Sequence, residues 1–378
     1  MDVALERLRN QRLVGKPFAS PEDVVRWLAA VQSQDYAGAK WAIAQRTRAC
    51  TDADLDRAYA DGRILRTHVL RPTWHFVLPD DIRWMLALTS PGVRARMAYY
   101  DRQLALDDAA YARSQVVIEK ALAGGQALTR EELGRALAAA GIRAAGQRLG
   151  HIMMRAELDA VITSGPRRGK QFTYALLDER APRGRTLARD EALAELAGRY
   201  FASHGPALAH DFAWWSGLTV GDARRGIEAA SPRLASAAVD GKTYWSAPGG
   251  RNGARVAPDV VHLLPNYDEA TVAYRDHAPS LAGAPPMFTA RPEMVMNHVV
   301  VVGGRVVGGW RRLPGKDAMV VETILADRLT TAARRALEAA AARFAKFLGL
   351  PVTLRARLEA RSPGGRSGRS ARPGARGR

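Results

Sequence analysis

Hydrophobic positions recur at helical spacing in three successive stretches of the chain, and each stretch is followed by shorter alternating segments that are typical of strands. The first stretch predicts helices near residues 3–12, 21–33 and 52–61, followed by a strand pair that ends at Val77. The second and third stretches predict helices at 114–123, 129–139, 145–158, 190–204, 207–217 and 219–230. Three helices followed by a hairpin are typical of a winged helix, so the pattern predicts three such units in tandem.

Capping and turn residues indicate where several of these elements begin and end. Ser20 is an N-cap residue in front of Pro21. Thr129 forms a capping box with Glu132, three residues later. In the third unit, the hairpin turns at Asp240-Gly241, a dipeptide that is favoured in two-residue hairpin loops.

The hairpin of the second unit carries a basic loop. Its strands are predicted at 160–162 and 172–176, with residues 163–170 as the loop between them. Three cations lie in that loop, namely Arg167, Arg168 and Lys170. We expect them to contact nucleic-acid phosphates if the winged helix binds a duplex.

The pattern changes to strands after residue 260, and a single helix at 331–348 is predicted to pack against them. The fold class is therefore α+β, with three tandem winged-helix repeats followed by a C-terminal β-barrel-like domain, either a small barrel or a curved sheet. The last residues are rich in Arg, Ser, Gly and Pro, a composition that does not fold. The predicted units are 1–112, 113–185, 186–256, the β-rich domain 257–358 with its closing helix, and a disordered basic tail at 359–378.

The charge balance favours a polyanionic partner. The chain has 56 basic and 38 acidic residues, which gives a net charge of +18, and nucleic acid is the first candidate for such a protein. One cysteine excludes an internal disulfide framework and a cysteine-based zinc cluster. No apolar run approaches the roughly 20 residues that span a bilayer, and the N-terminus lacks the apolar core of a signal peptide, so a cytoplasmic protein without membrane contact is predicted.

Three motifs identify a family. Gln32-Ser33-Gln34 is followed by the segment from Thr67 to His75, and by Leu264-Pro265-Asn266-Tyr267-Asp268-Glu269 far downstream. Together, and in this order, they resemble the AlkZ-like family of winged-helix DNA glycosylases across most of residues 5–355. The resemblance implies that Gln32 and Gln34 are the catalytic residues, in repair of bulky N7-alkylguanine adducts or interstrand cross-links. Some relatives have Asp where this chain has Gln34, and Gln there implies the branch associated with self-resistance to a DNA-alkylating natural product.

Glutamine chemistry agrees with such a substrate. An amide is neutral at every pH of interest and cannot abstract a proton as a carboxylate does. A purine alkylated at N7 is already cationic and leaves without an acid, so two amides need only position a water and stabilise the sugar cation. Asp35 is the alternative catalytic group. No amine is positioned for a Schiff base, which predicts a monofunctional enzyme without lyase activity.

Other residues are predicted to bind DNA or to line the active site, although a structural role stays open for each. His68, Arg71 and His75 lie in the first hairpin. Asn266 and Asp268 either face DNA, support the glutamines, or brace two parts of the fold. Arg305 follows Gly303-Gly304 at a hairpin tip that suits a minor groove.

The sequence thus predicts a monomeric glycosylase that acts on double-stranded DNA with alkylated purines. No metal site is predicted, because His262, Asp268, Glu269 and His277 lack ligand spacing, and no cofactor motif is present. The alternative is a non-catalytic winged-helix DNA-binding protein or transcriptional regulator. The two hypotheses differ in whether the glutamines release a base or only brace the fold.

Overall fold

The N-terminal part of the chain places a two-residue strand between short helices. The computed structural model describes residues 1–182, 184–249, 257–315 and 317–359, so the basic tail lies outside the described residues except for Glu359. The predicted helix 21–33 stops at Leu28, because Ala29 has a left-handed backbone with φ +65°. The elements here are α1 Val3–Asn10, α2 Pro21–Leu28, β1 Val31–Gln32, α3 Tyr36–Ala44, α4 Asp52–Ala60, β2 Leu65–His68, β3 Trp74–Val77 and α5 Pro79–Gln103.

The three strands form one antiparallel sheet in the order β1-β3-β2. Strand β3 lies in the middle, and its residue His75 pairs with Gln32 on one side and with Thr67 on the other. Side chains of directly paired residues share a face of the sheet. The register therefore puts Gln32 beside His75.

The second stretch has the predicted order of three helices and a hairpin. The capping box of Thr129 and Glu132 is confirmed. The strand predicted at 160–162 is misplaced: it begins at Ile162 and runs through most of the predicted loop, because strand pairing continues to Arg168 and Gln171. The elements are α6 Asp108–Leu122, β4 Leu128–Thr129, α7 Arg130–Ala139, α8 Gly146–Leu158, β5 Ile162–Arg168, β6 Gln171–Leu176 and α9 Leu177–Arg180.

The third stretch also agrees closely with its prediction. Asp240 and Gly241 both have positive φ, as a two-residue hairpin turn requires. The elements are α10 Arg189–His204, α11 Ala209–Ser216, α12 Val220–Ala230, a 3-10 turn Ser231–Arg233, β7 Ala235–Val239 and β8 Lys242–Ser246. The assignment of the three stretches as winged helices and the domain boundaries remain predictions.

The C-terminal part is an open sheet, and its described strands form no closed barrel. Its strands follow the order β13-β12-β11-β10-β9, so β13 and β9 lie at opposite edges and do not close on each other. Helix α16 crosses between the parallel strands β12 and β13. The elements are β9 Val261–Leu264, α13 Glu269–Val272, α14 Ala278–Leu281, α15 Pro286–Ala290, a 3-10 turn Pro292–Met296, β10 Val299–Val302, β11 Arg305–Pro314, β12 Met319–Leu325, α16 Thr331–Leu348 and β13 Val352–Leu358.

One hydrophobic cluster joins segments from distant parts of the chain. It packs Val69 and Trp84 against Leu158, Trp215 and Tyr274, all buried. Residues near Gln32 are therefore supported by side chains from the second, third and C-terminal stretches. Within the described ranges, no helix is long and apolar enough to cross a membrane.

Candidate active site

The structure brings Gln32 and Gln34 to the loop between β2 and β3. Gln32 is buried, and its Oε1 accepts a 2.6 Å hydrogen bond from Nη2 of Arg71. Gln34 is exposed, and its Oε1 accepts a longer bond of 3.4 Å from the backbone N–H of Trp74. Between them, the N–H of Ser33 donates to the Trp74 carbonyl at 2.7 Å. The first two motifs therefore lie next to each other, and both amides bond to the short segment from Arg71 to Trp74.

Arg71 is held in a strained loop. Leu70, immediately before it, is fully buried and has φ +65°, which is unusual for a branched side chain. The guanidinium lies 5.3 Å from the ring centroid of Trp214. Burial lowers the pKa of Arg71, and the nearby carboxylate of Glu269 opposes that shift. An amide oxygen has two lone pairs, so Gln32 keeps one acceptor position for a water while it binds Arg71.

Glu269 holds Gln32 from behind. Its fully buried carboxylate accepts the backbone N–H of Gln32 at 2.7 Å, and the indole N–H of Trp215 donates to it at 2.9 Å. Nε2 of His204 lies 3.4 Å from the same carboxylate. The third motif therefore supports the glutamine strand, which is one of the alternatives that the sequence left open.

Asp268 braces two parts of the fold, which is another of the roles that the sequence left open. Its two oxygens accept bonds of 2.8 and 3.0 Å from Arg46, and neither side chain is exposed. Arg46 also donates 2.7 Å to the side-chain oxygen of Gln11. Asn266 bonds instead to His298. Asp268 thus lies inside the protein, and DNA contact by either residue stays a prediction.

The two histidines of the hairpin have protein partners. Nδ1 of His68 bonds to the buried carboxylate of Glu157, and its ring centroid lies 4.4 Å from that of Trp74. His75 is fully buried and its Nδ1 lies 3.0 Å from the Thr73 carbonyl, so the proton on Nδ1 donates to it. Burial, aided by the charge of Arg71, holds the pKa of His75 well below its usual range. His75 is therefore a neutral neighbour of Gln32.

This arrangement accompanies clear similarity to known proteins. A family model described as DNA glycosylase AlkZ-like matches residues 25–347, most of the chain. The chain belongs to the AlkZ-like DNA glycosylase family. The interstrand DNA cross-link repair glycosylase of Streptomyces sahachiroi is 26% identical to it over 368 residues, which cover 92% of this chain and 97% of that protein. The solved structure of Streptomyces sahachiroi DNA glycosylase AlkZ has the same fold, with a TM-score of 0.76 and 24% identity over 93% of this chain and 98% of that one.

Two of the three cations predicted to bind DNA from the second hairpin of this AlkZ-like chain already have protein partners. Arg168 pairs with Glu132 and lowers the pKa of that carboxyl to about 2. Arg167 lies over the ring of Tyr36, 4.9 Å from its centroid. Lys170 is exposed in the turn after β5. DNA contact by these residues remains a prediction.

Arg305 and Asp35 lie in structural contacts as well. Nη2 of Arg305 is 2.8 Å from the carboxylate of Asp2, and a Cβ on Gly304 would lie 2.7 Å from the backbone of Ala4, so this tip rests on the start of α1. Asp35 caps α3 by accepting the N–H of Gly38 at 3.0 Å. Their predicted roles at DNA and in catalysis are not tested by these contacts.

Arg66 is a site residue that the sequence reading left out. Its guanidinium is buried, donates to the Ser33 carbonyl at 3.1 and 3.2 Å, and lies 4.4 Å from the ring centroid of Trp74. It therefore fixes the backbone between the two glutamines. It directly precedes the motif that begins at Thr67, but its burial could not be seen from the sequence, since an isolated Arg in a strand is usually exposed.

Proposed function

We propose that the chain is a monofunctional DNA glycosylase that hydrolyses the N-glycosidic bond of cationic N7-alkylguanine, in bulky adducts or interstrand cross-links. Membership in the AlkZ-like family supports the glycosylase activity. The similarity to a cross-link repair glycosylase supports a large lesion. The observation that carries the proposal is the convergence of Gln32 and Gln34 on one loop, with no carboxylate in place of either amide.

The geometry supports a hydrolysis that needs no acid. The bond between C1′ and the base breaks, and the cationic base leaves with the bonding electrons as a neutral molecule. A water oxygen then bonds to C1′ and its proton passes to solvent. Gln32, polarised by Arg71 and fixed by Glu269, would accept a hydrogen bond from that water and stabilise the sugar cation.

A single hydrolytic step also agrees with the chemistry of the groups that bond to the two amides. In the described part of the chain, the side chains of Gln32 and Gln34 bond to a guanidinium and to a backbone N–H, neither of which is a nucleophile. A lyase would need an amine that forms a Schiff base. The enzyme would act as a monomer on duplex DNA, held by tandem winged helices, in repair or in self-resistance.

The test uses a duplex with one N7-alkylguanine and an unmodified duplex. Alkali-labile abasic sites are counted after subtraction of spontaneous base loss. We expect the wild type to release the damaged base only. The double variant Gln32→Ala and Gln34→Ala should lose at least about a hundredfold of that rate.

The matched control is Gln126→Ala, an exposed glutamine after α6. It should keep the wild-type rate, and fluorescence anisotropy should show that the double variant still binds the duplex. If the wild type binds DNA but releases neither a methyl adduct nor a bulky one, the chain is a DNA-binding protein rather than a glycosylase.

A further inference from the structure

A cavity of about 310 Å³ adjoins the loop that holds both glutamines. One side of it is formed by Pro72 of that loop, by Trp74 at the start of β3 and by His68 of β2. Helices α5, α7 and α8 and strand β6 form the rest. A cavity of about 730 Å³ lies elsewhere, between α16 and β9, and contains none of the predicted site residues. The smaller cavity is therefore the one that continues from the candidate active site.

Three of the polar side chains around this cavity already have protein partners. His68 bonds to Glu157, and Nδ1 of His151 lies 2.7 Å from the carboxylate of Asp101. At the mouth, Arg130 donates 3.0 Å to the carbonyl of Gly146. A ligand in the cavity thus meets few polar groups that need a new partner.

Methionine and aromatic side chains supply the remaining walls. Met153, Met154 and Tyr174 are buried at the floor, while Met97 and Trp74 are half-buried at the mouth. Methionine is flexible and polarisable, and it adapts to apolar ligands of different shape. The cavity is at the small end of the range of about 300–1,000 Å³ that ligand pockets occupy, so one or two rings would fill it.

We propose that this cavity receives the neutral apolar group that the damaged base carries, while Gln32 and Gln34 act at its sugar. The inference rests on the proposed function, and it names the substrate class as an N7-alkylguanine with an apolar, ring-containing substituent. Trp74 links the two events, because its backbone N–H donates to Gln34 and the same residue lines the cavity. A methyl substituent is too short to use the cavity.

The experiment compares N7-benzylguanine with N7-methylguanine, each as a single lesion in the same duplex. Met97→Trp fills the mouth of the cavity, and Met97→Leu keeps its size. We expect Met97→Trp to lower the ratio of benzyl to methyl kcat/KM by about tenfold, with Met97→Leu close to the wild type. Met287→Trp, at an exposed methionine of α15, is the matched control and should leave the ratio unchanged.

Binding by the Gln32→Ala and Gln34→Ala protein gives a second readout that does not depend on catalysis. It should bind the benzyl duplex more tightly than the methyl duplex, and Met97→Trp in that background should remove the difference. Equal affinities, or a kcat/KM ratio that Met97→Trp does not change, would overturn the cavity proposal. Release of neither base by the wild type would instead overturn the proposed function, and the binding comparison would still decide the cavity.

Discussion

Glu269 is the residue on which the position of Gln32 depends most directly. In Glu269→Ala the N–H groups of Gln32 and Trp215 lose their buried acceptor, which should lower the free energy of unfolding by about 1–3 kcal/mol. We expect the single-turnover rate of base release to fall as well, because β1 is no longer fixed. Glu269→Gln keeps an acceptor oxygen and should recover part of the rate.

The measurements are thermal melts and single-turnover kinetics at a temperature at which each variant is folded. Glu131→Ala, at an exposed glutamate of α7, is the control and should change neither. A Glu269→Ala protein that melts early but turns over at the wild-type rate would restrict Glu269 to a structural role.

Buried histidines predict how stability changes with pH. Burial lowers the pKa of His262 to about 4, from an ordinary 6.5. Between these values the unfolded chain takes up a proton that the folded chain does not, so the free energy of unfolding falls as the pH falls through this window. Each pKa unit corresponds to about 1.4 kcal/mol.

Urea unfolding at several pH values between 4.5 and 7.5 measures this dependence. The glutamine of His262→Gln does not titrate, so the free energy of unfolding of this variant should depend less on pH. Some dependence should remain in both proteins, because the pKa values of His75 and His204 are also lowered. Identical slopes for the variant and the wild type would show that His262 does not take part.

At the scale of elements, the end of α11 sets the shape of the Arg71 loop. Gly217 ends this helix with φ +69°, and a Cβ there would lie 2.1 Å from the carbonyl oxygen of Leu70. Gly217→Ala should therefore displace the residue before Arg71, and both stability and base release should decrease. Gly349 ends α16 with a similar φ of +66° but has open space around it.

Gly349→Ala is thus the matched control for backbone strain alone, which costs about 1–3 kcal/mol. Melting temperatures and rates of base release are compared for the two variants. Gly349→Ala shows the effect of backbone strain alone, and any larger effect of Gly217→Ala comes from the clash with the Leu70 carbonyl. Equal effects on both quantities would mean that the contact with Leu70 has no influence on the site.

The elements that the sequence predicted well are those with local signals. Ser20 and Pro21 begin α2, Thr129 caps α7, and Asp240-Gly241 turns the third hairpin, as each pattern indicated. The end of α2 was missed because the left-handed Ala29 has no sequence signature. In the C-terminal sheet, strand β13 was missed because it pairs with β12 across a helix, a contact that no local pattern encodes.

Only part of the candidate site could be predicted from the sequence. The motifs singled out Gln32 and Gln34 and the segment from Thr67 to His75 that contacts them. They left the roles of Asp268 and Glu269 open, because only the tertiary structure separates a brace to Arg46 from a bond to the Gln32 backbone. The partner of His68, Glu157, lies 89 residues away and belongs to no motif.

At the scale of the whole molecule, the pair of Arg46 and Asp268 connects the N-terminal stretch to the C-terminal part of the chain. Both side chains are fully buried, and removal of one charge leaves the other without compensation. Asp268→Asn should therefore lower the free energy of unfolding by about 3–5 kcal/mol. Chemical denaturation measures the loss.

Glu131→Gln breaks the exposed pair with Arg135 and serves as the comparison, since exposed pairs contribute little. A double substitution of Arg46→Met with Asp268→Leu should recover part of the stability, because no lone charge remains. Asp268→Asn with wild-type stability would contradict the role of this pair as a brace.

The bond from Gln32 to Glu269 spans 237 residues, and this separation has a consequence for synthesis on the ribosome. A nascent chain that has exposed its first 250 residues already contains both glutamines, but it lacks the carboxylate that fixes their strand. The contact that fixes the glutamine strand therefore forms late, with the last third of the polypeptide. A prematurely terminated product would carry the two glutamines without the carboxylate that holds their strand in place.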